Sequence, residues 1–115
     1  MFARALVLLT SIAFAAAVCE TSNNSPWTSN CYEAADYLMG QGGNPCCQTS
    51  GSGCTAMVTR GTCRVAICGP QICRPCDEAG RYTRDLINAC KNDAIGKVGG
   101  KSNDFFGLHL ELWYA

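Results

Sequence analysis

Apolar and polar residues alternate most regularly near the end of the chain, where Phe106, Leu108, Leu110, Leu112 and Tyr114 are interleaved with Gly107, His109, Glu111 and Trp113. A period of two puts one set on each face of an extended backbone, so the segment predicts a half-buried strand with its leucines toward a core. A second β-rich region runs from Thr55 to Thr59 and from Thr62 to Cys68, with Arg60-Gly61 between. Two such runs around a short glycine-containing break predict a hairpin with Arg60 at its tip. In its second strand Cys63, Val65 and Ile67 share one face, and Arg64, Ala66 and Cys68 share the other.

Two segments carry helical spacing instead. Cys31, Ala34, Ala35 and Leu38 fall at i, i+3, i+4 and i+7, preceded by Asn30 with Glu33 three residues on, the form of a capping box. Gly40 is placed to end that helix. Ala79, Tyr82, Leu86 and Cys90 form a second stripe behind Asp77 and Glu78, two acids suited to the positive end of a helix dipole. Gln41 to Gly53 has the Gly, Asn, Pro and Ser content of a loop. Asn88 to Gly100 reads as the close of the second helix and a flexible connection. The order helix, hairpin, helix, strand, with room for a short strand near Cys19, predicts an α+β domain whose antiparallel sheet carries two helices on one face.

The first residues follow another logic. Arg4 precedes an apolar run from Ala5 to Phe14, and Ala15-Ala16-Ala17 follows. This is the layout of a secretory signal peptide spanning residues 1–17, and the run is too short for a membrane-crossing helix of roughly 20 residues. Val18 before Cys19 argues against lipid attachment at that cysteine. Residues 18–30 then form a polar N-terminal segment, and residues 31–115 a disulfide-stapled domain. Asn23-Asn24-Ser25 is an N-glycosylation acceptor at Asn23, although Pro26 lowers its expected occupancy.

Removal of residues 1–17 leaves 98 residues that keep all ten cysteines, Cys19, Cys31, Cys46, Cys47, Cys54, Cys63, Cys68, Cys73, Cys76 and Cys90. In an exported chain an even number at this density implies five cystines rather than metal ligands. Hundreds of pairings remain open even when a Cys46 to Cys47 bond is set aside. The whole chain has 9 basic and 9 acidic side chains, a balance that offers no attraction to polyanions, so no nucleic-acid partner is expected. The distribution is uneven: Val18 to Thr59 holds three acids and no base, whereas Arg60 to Lys101 holds eight bases and four acids.

Several segments have the form of chemical motifs. Cys73-Arg-Pro-Cys76 has the spacing of a redox pair, but eight other cysteines compete for pairing, and Asp77 and Glu78 would raise a neighbouring thiol pKa. It reads as structural cystine. Zinc would need further ligands, and the chain has one histidine. Gly100-Lys101-Ser102 resembles the end of a phosphate loop, but the expected order there is helix then strand, the reverse of what such a loop requires. His109, Glu111 and Trp113 on the solvent side of one strand, with Arg64 beside them, supply the acid, base and cation of a small ribonuclease. They equally supply the polar outer face that any such strand needs. Adjacent Cys46-Cys47 and Cys54 suggest hevein-type or lipid-transfer cysteine patterns, which fail for want of an aromatic platform between Gln48 and Gly53 and of a Cys-x-Cys. Hydrophobins would need a second adjacent pair.

The signal peptide, the ten cysteines, Cys90 at the end of the last helix, Gly96-Lys97-Val98-Gly99-Gly100 and the Phe106 to Tyr114 strand together resemble the small secreted cysteine-rich effectors of plant-associated fungi. In element order from Cys31 to Tyr114, the chain is similar to the virally encoded killer toxins of smut fungi. The resemblance implies a secreted, virulence-associated monomer, without enzymatic activity or cofactor, that binds a host protein or cell-surface component in the apoplast. Its alternative is a killer toxin acting on membranes or cation channels of competing cells, with Arg60 as a basic residue at the hairpin tip. A small secreted ribonuclease is the second alternative. The residues expected to be exposed for interaction are Arg60, Arg64, His109, Glu111 and Trp113.

Overall fold

The computed structural model describes residues 17–115; apart from Ala17, the signal-peptide assignment lies outside the described residues. The elements are β1 (Val18–Cys19), α1 (Thr28–Gly40), β2 (Pro45–Cys47), β3 (Cys54–Arg60), β4 (Cys63–Cys68), β5 (Cys73–Pro75), α2 (Cys76–Cys90), β6 (Gly100–Lys101) and β7 (His109–Tyr114). Five strands form one antiparallel sheet in the order β1, β6, β7, β4, β3, and β2 pairs with β5 in a separate ribbon. The architecture is the expected α+β domain with two helices on one side of the sheet.

The apolar stripes dictate that layering. Cys31, Ala34, Ala35 and Leu38 of α1 meet Val58, Cys63 and Val65, while Leu86, Ile87 and Cys90 of α2 join the same core with Leu112. Ile67, Leu108 and Leu110 pack with Ala79 and Phe105 in an adjoining cluster. The two helices meet closely at Gly80. A side-chain carbon there would lie 2.7 Å from the Met39 amide nitrogen and 2.9 Å from the Ala35 carbonyl oxygen, so only glycine lets the backbones approach this closely.

Five cystines tie the elements: Cys19–Cys90 joins β1 to the end of α2, Cys31–Cys63 joins α1 to β4, and Cys54–Cys68 crosses the hairpin. Cys46–Cys76 and Cys47–Cys73 lie side by side and fasten β2 to β5 and the start of α2. All ten cysteines are paired.

Local departures from the sequence pattern have identifiable causes. Helix α1 begins at Thr28, not after an Asn30 cap, and has no side-chain cap. The Asn30 carboxamide oxygen instead accepts the Thr62 amide at 2.9 Å and the Thr62 hydroxyl at 2.8 Å, holding the hairpin turn. That turn is Gly61-Thr62, because Arg60 still pairs with Cys63. Gly61 at φ +52° supplies the left-handed first position of a two-residue turn. Met57 is the extra residue of a bulge between Ala56 and Val58.

The last strand starts at His109 rather than Phe106. Phe106 (φ +55°) and Gly107 (φ +84°) form a tight turn closed by reciprocal Phe105 and Leu108 backbone hydrogen bonds, so the apparent alternation begins in a turn. The Gln41 to Gly53 loop contains β2 and a buried Gln48, whose side-chain amide donates to the Gly69 carbonyl at 2.8 Å. The segment before Gly100 is packed rather than free. Val98 is fully buried, and Thr28 N–H, Val98 N–H and Glu20 N–H donate to Gly96, Pro26 and Gly99 carbonyls respectively. Residues 18–30 accordingly contribute β1 and the first turn of α1.

Candidate functional site

Strand alternation sends the polar residues of β7 and β4 away from the helices, and the register decides which of them meet. Trp113 lies opposite Arg64, Glu111 opposite Ala66, and His109 opposite Cys68. On the far side of β7, Lys101 of β6 pairs with Glu111; on the far side of β4, Thr59 pairs with Arg64 and Cys54 with Cys68. The outer face is therefore a grid of three rows, with Glu111 in the central one and the Cys54–Cys68 cystine beside it.

Glu111 binds its neighbours two residues away in both directions. One carboxylate oxygen lies 2.8 Å from His109 Nε2, and the other accepts the Trp113 indole N–H at 2.8 Å. Ala66, fully buried beneath the grid, is small enough to let the carboxylate settle onto the sheet. Burial acts to raise the Glu111 pKa, but the hydrogen bonds from Trp113 and His109 and the positive charge of Lys101 outweigh it and hold the carboxyl below its ordinary value of 4.5. Arg64 Nε donates to the Thr59 hydroxyl at 3.3 Å.

Arg64, His109, Glu111 and Trp113 are thus brought onto one face, as alternation predicts. Arg60 is not with them. It falls on the opposite face at the end of β3, with its guanidinium 4.4 Å from the centre of the Tyr37 ring on α1. Asn23 sits in an exposed turn, where the neighbouring Ser25 hydroxyl accepts the Ser22 amide at 2.9 Å.

The chemistry of the grid follows from its bonding. A carboxylate bonded to one nitrogen of an imidazole fixes the ring's orientation. Here the imidazole and carboxylate are bonded to each other, and the second carboxylate oxygen is taken by an indole. The sulfurs of Cys54 and Cys68 and a Glu111 oxygen all lie within 4.8 Å of one another, but sulfurs joined in a cystine carry no thiolate with which to hold a metal ion. The Cys73-Arg-Pro-Cys76 pair is likewise divided between Cys47 and Cys46.

Pattern reasoning missed a second group. The Lys97 ammonium lies over the Trp27 ring, and Lys97 and Tyr114 line a cleft of about 320 Å³ with Asn23 and Asn24. The usable signal was that Trp27 lies outside both apolar stripes and Tyr114 ends its strand beyond the last leucine. No family model matches the chain, and no curated protein is similar to it in sequence.

Proposed function

We propose that the chain is a secreted, non-enzymatic effector that binds a host component through the outer face of its sheet. The supporting observation is the Glu111 arrangement: its carboxylate is hydrogen-bonded to the His109 imidazole through one oxygen and to the Trp113 indole through the other. Side chains fixed in this way make a well-organised binding surface, since little rotamer freedom is lost on contact. The five cystines are compatible with an extracellular setting, and among the described residues no helix is long and apolar enough to cross a membrane.

Deletion and complementation in the producing organism test this reading. Wild-type protein should restore host colonisation to a deletion strain. The Arg64→Glu, Trp113→Ala variant should not, while its purified form, less stable for loss of the Trp113 hydrogen bond, is still folded at the temperature of the colonisation assay. Full restoration by the variant would remove the outer face from function. Inhibition of bystander fungi with no colonisation defect would favour the killer-toxin reading instead, and RNA cleavage lost in His109→Ala would favour the nuclease.

A further inference from the structure

Trp27 and Tyr114 are 48% and 58% exposed, among the most exposed large hydrophobic side chains of the described residues. Neither belongs to the core clusters. Their backbones converge on one residue: the Trp27 amide donates to the Thr62 hydroxyl at 2.9 Å, and the amide after Tyr114 donates to the Thr62 carbonyl at 2.8 Å. Lys97 links them, because its ammonium lies 4.0 Å from the centre of the Trp27 ring while its side chain lines the cleft with Tyr114. Among the described residues Lys97 forms no ion pair. Asn23 and Asn24 complete the wall from a turn closed by the Ser25 amide on the Ser22 carbonyl at 3.1 Å.

Each part matches one feature of a sugar. An exposed tyrosine ring offers an apolar surface to the C–H face of a pyranose. Asparagine amides present a donor and an acceptor on one planar group, the pair that neighbouring hydroxyls require. An ammonium held over an indole and left without a carboxylate supplies a fixed positive charge. The cleft volume of about 320 Å³ falls in the range of small-molecule sites, roughly 300 to 1,000 Å³, and its open form suits a segment of a chain.

We propose that the cleft of Asn23, Asn24, Lys97 and Tyr114 binds a glycan built from carboxylate-bearing sugars. Tyr114 stacks on a ring, the two amides bridge its hydroxyls, and Lys97 pairs with a uronate. The site is separate from the outer face of the sheet, and the inference does not depend on the effector reading. A glycan attached at Asn23 would occupy the same cleft, so protein for the test is made without glycosylation.

Calorimetric titration of the oxidised protein with hexagalacturonate and with the neutral cellohexaose decides the matter. The acidic oligomer should bind at least about tenfold more tightly than the neutral one. Tyr114→Ala should weaken that binding about tenfold while Tyr114→Phe retains it, and Lys97→Gln should abolish the preference for the charged oligomer. No heat of binding with hexagalacturonate, equal affinity for the two oligomers, or affinity unchanged in Tyr114→Ala and Lys97→Gln would each overturn the proposal. A folded Lys97→Gln variant with lost preference would sustain it even if Tyr114→Ala failed to fold.

Discussion

Glu111 shows how much one side chain on a small sheet can be asked to do. Its carboxyl is held below the ordinary 4.5, so the charged form is favoured in the folded state. The stability it contributes is complete well above that value and disappears as pH falls through the folded pKa. Glu111→Gln should therefore melt below wild type at neutral pH, by the equivalent of about 1–2 kcal/mol, and the gap should close in acid. Melting temperatures measured from neutral pH to below pH 4 check this; a gap that stays constant would mean that ionisation of Glu111 is not what stabilises the face. That His109, Glu111, Trp113 and Arg64 share a face was legible in the sequence, because a period of two leaves no choice. Their mutual hydrogen bonds were not, since alternation fixes a side chain's direction but not its torsions. Asn30 is the converse: its spacing from Glu33 suggested a cap, but its carboxamide satisfies the turn at Thr62 instead.

Among the elements, α1, α2, the hairpin and the last strand were legible because each has an apolar stripe of the right period. The β2–β5 ribbon was not, because three-residue strands are too short to show a period and are held by sulfur rather than by a hydrophobic face. Its two cystines are mutually redundant. Once Cys46–Cys76 has formed, Cys47–Cys73 closes a ring of only roughly six residues, which restricts the unfolded chain less than a long loop would. Replacing either pair by alanine should cost about 2 kcal/mol, and replacing the second pair as well should cost about 3 kcal/mol more. Denaturation of the two single-bridge variants and the double one would reveal this inequality. Equal, additive losses would show that the two bridges restrain independent parts of the unfolded chain.

Taken as a whole, the molecule is a small core within a net of covalent cross-links. A domain of this size buries limited apolar surface, so mild reduction should produce a single cooperative unfolding transition at a temperature where the oxidised protein is intact. A thermal melt unaffected by reductant would contradict the structural role of the cystines. The spans of the bridges also order events in time. Cys54–Cys68 closes 14 residues, whereas Cys19–Cys90 closes 71. A growing chain emerges with its amino end first, so Cys31, Cys46 and Cys47 are available to Cys19 before Cys90 is, and the longest native bridge cannot form until Cys90 has been added. Reduced and unfolded protein should therefore regain its native bridges in higher yield with a thiol-disulfide isomerase than without one.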